Sequence, residues 1–263
     1  MMLERQTIVG DSWRRWMHAV RRVQFECLMR HLPLGPDATV LELGSGDGFQ
    51  LGLLRHRFGQ VFGIDPEEAP SGASGFCFAR AEELPFPDGA FDLVFSCAVA
   101  EHMKDRSTAL DEAVRVLRPG GYMAHIVPTR FWKASGLVLH PLGYPLRVTE
   151  KWRESRKSAS PEGAYAVSRN TPEARPDLLQ ILKRWFYPPI HGTFPSHLAE
   201  YRSYSRGRWL KIFDHTMLVR AADSPALACT QFGLLRFRGM AFRKWLARRG
   251  VSNTWIFVLR KVA

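Results

Sequence analysis

The chain has 263 residues, 46% of them apolar and 24% charged, with a formal net charge of +12. That length and apolar content suit one large α/β domain with insertions and exclude a disordered chain. The charge is uneven: residues 1–128 carry 13 basic and 17 acidic side chains, residues 129–263 carry 24 and 8. Any anionic partner is therefore expected at the second part. Cys27, Cys77, Cys97 and Cys229 are scattered without a CxxC pair. Neither a disulfide scaffold nor a metal site is expected, and reduced thiols in a cytoplasm fit best. Arg5, Asp11, Arg14 and Arg15 precede any apolar run, so no signal peptide is expected. Uncharged stretches such as 134–146 reach about a dozen residues, short of the about 20 that a spanning helix needs.

Residues 1–36 predict an N-terminal helix. Asp11 can cap it, and Trp13, Trp16, Val20, Val23, Cys27 and Leu28 recur at helical spacing before Pro33 and Pro36. Residues 37–128 alternate between strands, at 39–43, 61–65, 76–79, 91–96 and 121–127, and helices, at 49–58 and 107–117. Between the second and third strands, 66–75 leaves little room for another helix, and 118–121 is helix-stopping turn chemistry. Such alternation implies a parallel sheet. Residues 129–204 break the pattern, with an apolar stretch around Phe131, Trp132 and 137–139. A polar, basic stretch at about 149–177 follows and is expected as a mobile loop, then a helix carrying Leu178, Leu182, Trp185 and Phe186. In residues 205–263, 208–213 reads as a helix and 216–221 and 254–262 as strands. A basic helical excursion at 232–249 lies between those strands.

The informative segment is Glu42-Leu43-Gly44-Ser45-Gly46-Asp47-Gly48, which follows a strand and opens a helix. Glycines there let the backbone turn sharply and approach a ligand, and the next helix offers free N–H groups. In a doubly wound sheet this is the carboxyl edge, where ligands bind. The spacing is GxGxG rather than the GxGxxG of dinucleotide sites. Asp65 closes the second strand and can accept hydrogen bonds from a ribose.

With these residues the sequence resembles the class I S-adenosylmethionine-dependent methyltransferases, in particular the broad group of ubiquinone/menaquinone-type and small-molecule enzymes. The resemblance is carried by 42–48, by Gly63-Ile64-Asp65, by 81–88, by 91–95, by Glu101-His102 and by 115–121, together spanning about 39–128. It implies an α/β, Rossmann-like, doubly wound seven-stranded sheet with an antiparallel last strand and a helical cap inserted at 129–204. S-adenosyl-L-methionine is the implied cofactor. Gly44, Ser45, Gly46 and Gly48 would line its methionine part, with Glu42 holding the ammonium. Asp65 would grip the ribose and Pro66 flank the adenine. Ala81 would meet the adenine edge and Leu84 pack nearby. Cys97 and Ala98 would border the transferable methyl. Relatives often carry Asp before Ala81; here Arg80 cannot accept the adenine bond, and Glu82 is the candidate substitute.

Methyl transfer from a sulfonium is an in-line displacement that mainly needs alignment and exclusion of water. A base is needed only where the acceptor loses a proton, and His102 and His191 are the candidates. Ser96-Cys97-Ala98-Val99 is not the Asn/Asp-Pro-Pro-aromatic segment of amino methylation, so an oxygen or carbon of a small-molecule or lipid-linked acceptor is favoured. The excursion at 232–249 holds Leu234, Leu235, Ala241, Phe242, Trp245 and Leu246 on one face, with basic residues and no acid. It reads either as a core helix or as a contact with an anionic membrane surface, giving a cytoplasmic, peripheral-membrane location. Nucleic acid ranks lower, since no RNA-binding module accompanies the domain. An RNA methyltransferase and a non-catalytic cofactor-binding partner subunit stand as alternatives.

Overall fold

The computed structural model describes residues 11–67, 74–158, 182, 185–191, 194–227 and 239–262. Among these, seven strands form one sheet: β1 (Thr39–Leu43), β2 (Gln60–Asp65), β3 (Phe76–Phe78), β4 (Phe91–Cys97), β5 (Leu117–Pro128), β6 (Leu218–Pro225) and β7 (Thr254–Lys261). Their order is β3-β2-β1-β4-β5-β7-β6. β3, β2, β1, β4 and β5 run parallel, whereas β7 pairs antiparallel with both β5 and β6. All seven residues of β4 are buried, as expected of a parallel strand covered on both faces. The order reverses between β1 and β4, which places the ligand crevice at the carboxyl ends of those two strands.

The helices cover both faces. On one side, Phe25 and Leu28 of α1 (Asp11–Met29) and Leu51 and Leu54 of α2 (Phe49–Arg55) pack on Val40, Phe95 and Val258. On the other, Leu110, Ala113 and Val114 of α3 (Arg106–Val116) meet Leu41, Val94 and Met123. The aromatic side chains Tyr204, Trp209 and Phe213 join the same cluster. His125 of β5 is buried between the Ser96 hydroxyl, 2.7 Å away, and the Phe213 ring stacked 4.5 Å from it, and burial drives its imidazole down to about 4.

The elements expected over 11–128 and the strands of 205–262 are present with shifted ends; the helix expected at 178–186 and the start of the excursion at 232–249 lie largely outside the described residues. Residues 118–121, expected as a turn, are drawn into β5 as an irregularity: Phe91 pairs with Leu117, and Leu93 with Tyr122. The turn chemistry survives there as a φ of 77° at Gly120. The expected loop at about 149–177 begins too early, because α4 runs unbroken over Arg130–Ser158; residues 159–177 lie outside the described residues. The polar, basic composition of 149–158 reads as a loop, yet the helix continues through it and through the interior prolines Pro141 and Pro145. Pro145 has no amide hydrogen to close the Pro141 carbonyl, and the Trp185 indole donates to that carbonyl instead, at 2.9 Å.

Within the cap, a buried ion pair joins the first helix to the one that leads the chain back to the sheet. Lys133 of α4 meets Glu200 of α5 (His197–Ser203), and both side chains are almost fully buried. The same carboxylate accepts the His191 N–H at 3.3 Å. Helix α6 (Arg206–Ile212) then returns the chain to the sheet, with the Trp209 indole donating to Pro128 at 2.9 Å. Removing one partner of such a pair strands a buried charge, at a cost of about 3–5 kcal/mol. Lys133→Met should therefore lower the melting temperature by about 6–20 °C. The double variant Lys133→Met with Glu200→Leu should recover much of that loss, as thermal scans by circular dichroism will show.

Candidate functional site

The turn after β1 is built on backbone conformations closed to other residues. Gly44, Gly46 and Gly48 all have positive φ, and a Cβ on Gly44 would lie 2.4 Å from a Val99 methyl. The Gly44 and Ser45 N–H groups donate to Ile64 O at 2.8 and 2.9 Å, which ties the turn to β2. Asp65 stands beside it: one carboxylate oxygen accepts the Gly46 N–H at 3.0 Å, the other the Glu67 N–H at 2.9 Å. Glu42 is 2% exposed, and burial pushes its carboxyl up to about 8. Its Oε2 has no hydrogen-bond partner among the described residues. A buried carboxyl oxygen without a donor, next to a glycine turn and a strand-end carboxylate, fits a ligand bearing both an ammonium and a ribose diol.

Helix α1 closes this edge, a role not legible in its sequence. His18 Nε2 lies 2.8 Å from Asp47 and Arg21 Nη1 3.3 Å from the same carboxylate, while the His18 ring stacks on Phe49 at 3.9 Å. Across the edge the expected adenine contacts are only partly available. Ala81 is half-buried against the core. Leu84 is itself a core residue, 5% exposed, and its N–H donates to Glu112. Pro66 is exposed. Glu82 is not a free substitute for an adenine acceptor: it accepts the Lys104 and Asp105 N–H groups at 3.1 and 3.3 Å and sits 3.6 Å from Arg80. Those backbone amides precede α3 and hold the carboxylate to a structural task.

Beyond β4 the chain opens into a cavity of about 550 Å³. Cys97 and Ala98 form its floor, Met17, Val20 and Gln24 one wall, and Trp132, Lys133 and His140 another. Ala98 has φ 56°, a conformation that non-glycine residues seldom adopt and that recurs where a backbone is held for function. The Cys97 thiol, pushed up to about 11 by burial, stays protonated and is no nucleophile.

His102 and His191, expected as alternatives, are brought together. Their Nε2 atoms are 3.1 Å apart, with rings edge-to-face at 4.5 Å, and Trp132 flanks His191 at 5.2 Å. Burial holds both imidazoles below their ordinary value, and for His102 the neighbouring His191 adds to it. Glu101 completes the group. It is 1% exposed, its carboxyl is raised to about 7 by burial, and its Oε1 lies 3.9 Å from His191 Nε2. Sequence reasoning quoted Glu101 without giving it a role and passed over Lys133. A single lysine inside the apolar run 131–139 was the available signal, since a charge placed there must be paired.

A family profile described as "Methyltransferase domain" matches residues 41–125. The 2-methyl-6-phytyl-1,4-hydroquinone methyltransferase of Synechocystis sp. is 32% identical over 120 residues, 38% of each chain. The sarcosine/dimethylglycine N-methyltransferase of Halorhodospira halochloris is 34% identical over 102 residues, 34% of this chain and 37% of that one. The chain thus spans about two fifths of the length of the curated relatives it matches. Among solved structures, geranyl diphosphate C-methyltransferase from Streptomyces coelicolor A3(2) is similar over 97% of this chain and 84% of that one. The TM-score is 0.53 at 17% identity, and that structure holds S-adenosyl-L-homocysteine. The glycine turn, the strand-end acid, the sheet order and the profile agree: residues 41–125 form a class I S-adenosylmethionine-dependent methyltransferase domain.

Proposed function

We propose that this protein transfers the methyl group of S-adenosyl-L-methionine to an oxygen of a small or lipid-linked acceptor with an apolar body. A carbon activated by such an oxygen is the second form of the same reading. The observation that carries it is the cavity past β4: its Met17, Val20 and Trp132 walls suit an apolar body, and two histidines and a buried carboxyl meet at one point on its lining. The cofactor's part is to supply an electrophilic methyl. Glu42 would hold its ammonium, the Gly44–Gly48 turn its carboxylate end and Asp65 its ribose, leaving the sulfonium near Cys97 and Ala98. Neutral imidazoles at His102 and His191 present lone pairs where a hydroxyl would lose its proton. The cap and α1 exclude water from the displacement.

The test is release of S-adenosylhomocysteine with a panel of phenols, hydroquinones and hydroxylated lipids, beside calorimetric titration of S-adenosylmethionine. Asp65→Ala should weaken cofactor binding about tenfold or more, the loss of charge-assisted hydrogen bonds of about 1.5–3 kcal/mol. His191→Ala should lower turnover about 10²–10⁴-fold at saturating acceptor. Full turnover by that variant removes the histidine from the chemistry. Cofactor binding with no transfer to any acceptor would favour the partner-subunit reading, and transfer to RNA alone the nucleic-acid one.

Glu42 supplies a pH signature. Its carboxyl ionises near 4.5 in the unfolded chain and at about 8 in the folded one. Between those values the folded protein binds more protons, so rising pH costs stability, by up to about 1.4 kcal/mol per unit. A bound ammonium needs the ionised form, so cofactor affinity should rise from pH 6 to pH 8. In Glu42→Gln the apo-protein should be the more stable one at pH 8, and the rise in affinity should vanish. Calorimetry and thermal scans at the two pH values check both.

A location at an anionic membrane surface is the finer part of the proposal, favoured by one observation on α7 (Met240–Arg248). The expected apolar face does not point inward: Phe242 and Trp245 are 59% and 46% exposed and stacked at 5.6 Å. Arg243 is buried along with Ala247, its guanidinium 4.8 Å from the Trp16 ring. Arg249 lies over Trp245 at 4.4 Å. Stacked aromatics ringed by cations suit a headgroup interface. No helix among the described residues is long and apolar enough to cross a membrane. The protein should float with vesicles containing phosphatidylserine at low salt, and the Phe242→Ser/Trp245→Ser variant should not. Equal flotation of both proteins would reject α7 as the contact.

A further inference from the structure

Three donor groups converge on one point of the cavity wall, from two separate parts of the chain. Glu101 and His102 follow the fourth strand, and His191 comes from the segment that closes the cap. One ligand atom from each lies within 4.8 Å of the others. The two Nε2 atoms, 3.1 Å apart, stand near the edge of about 3.3 Å that two ligands share in a tetrahedral zinc site with bonds of about 2.0–2.1 Å. Oε1 of Glu101 lies 3.9 Å from His191 Nε2, and all three ligand atoms fall within 4.8 Å of one another, so the carboxylate must close in by between about half an ångström and about 1.5 Å to complete that face.

The surroundings supply what a bound cation needs. The second carboxylate oxygen of Glu101 is buried and has no hydrogen-bond partner among the described residues. The nearest cation does not claim it. The Arg106 guanidinium donates instead to the Ala100 and Glu101 carbonyls, at 2.9 and 3.2 Å. Lys133 is already paired with Glu200. The His191 backbone is held on both sides, its N–H by Glu200 and its carbonyl by the Tyr204 hydroxyl at 3.4 Å, so the imidazole is aimed by the fold rather than by its partner ring. Two Nε2 atoms facing each other can share at most one proton, whereas both lone pairs can bind one cation.

We infer that Glu101, His102 and His191 form a binding site for one divalent transition-metal ion, with an open coordination position facing the acceptor cavity. Two imidazoles and one carboxylate suit Zn²⁺, Fe²⁺ or Mn²⁺ better than Ca²⁺, which prefers an all-oxygen shell. Three protein ligands leave a place for a fourth from solvent or substrate, as in catalytic rather than structural sites. This deepens the proposed function and rests on it for the identity of the fourth ligand, the acceptor's oxygen. Coordination would release the hydroxyl proton to solvent and leave a metal-bound alkoxide or phenolate. Its lone pair would take the methyl as the carbon–sulfur bond breaks, with S-adenosylhomocysteine leaving neutral at sulfur. The histidines would then act as ligands, and the metal would do the work otherwise assigned to a base.

The experiment uses tag-free full-length protein stripped with a chelator and dialysed against Zn²⁺, with metal counted per chain, and against Co²⁺, whose visible absorption reports its ligands. One ion per chain is expected, with Co²⁺ bands of low coordination number. His191→Ala, at a half-exposed side chain, and His102→Ala should each weaken Zn²⁺ binding by at least about 100-fold, the upper end of what losing even an outer-sphere partner costs. S-adenosylmethionine binding should be unchanged in both variants. Stoichiometric Zn²⁺ binding that survives both substitutions, or none in the wild-type protein, overturns the inference. Zn²⁺ bound as expected in a protein that binds no S-adenosylmethionine overturns the methyltransferase reading and leaves the metal site standing. Methyl transfer at full rate by the stripped protein overturns the site's part in the reaction.

Discussion

Lys133 and Glu200 put a full positive and a full negative charge where almost no water reaches them. Such a pair adds little to stability compared with two apolar side chains of the same size. Its value lies in placement: an apolar contact tolerates sliding, whereas a buried charge accepts only its partner. Glu200 takes Lys133 from α4 and the His191 amide from the closing segment, and Tyr204 holds the His191 carbonyl. The position of His191 over the cavity, and so the meeting of the two imidazoles, follows from that one pair. The parallel sheet can be assembled without it; the cavity wall cannot.

The division of labour within the molecule follows the same line. Along β1 and β2 nearly every polar group is committed to backbone: the glycine turn to Ile64, Asp65 to Gly46 and Glu67, Glu82 to the amides before α3. The exceptions are Glu42, kept buried with an oxygen that lacks a donor, and the buried Ser45 hydroxyl. Past β4 the balance reverses. Glu101 also keeps an oxygen without a donor, and the two histidines have chiefly each other. Polar groups left short of partners cost stability, and in this chain those two carboxylates border the crevice that sheet topology reserves for ligands.

How much of this was legible in the sequence depended on the range of the interaction involved. Local signals worked. The period-two and period-3.6 patterns located β1 to β4 and β7 within a residue or two, while β5 begins and β6 ends four residues away from the reading. Non-local ones did not. Nothing between Cys97 and His191 announces that His102 and His191 will touch, because their meeting depends on an ion pair between positions 67 residues apart. The polar, basic residues from 149 suggested a loop where the structure continues a helix to Ser158. On α7 the apolar pattern was seen, but the pattern alone left open whether it faces the core or the outside. Arg243 takes the inner face because its guanidinium can stack on Trp16 there, while the aromatics of the pattern stay outside.

The missing amide at Pro145 of α4 has an effect at a distance. A proline in the interior of a helix leaves a carbonyl without its usual donor, and here the donor comes from Trp185, some forty residues on. Trp185 lies just before Pro188, Pro189 and His191, the residues that close the cavity. The flaw in one helix thus becomes an anchor for another part of the chain, and the roof of the cavity is hung from the point where α4 is weakest. A substitution that repaired the helix by restoring an amide at position 145 would compete with the indole for the same carbonyl. Completing the helix's own hydrogen bonds would then loosen the cover it supports.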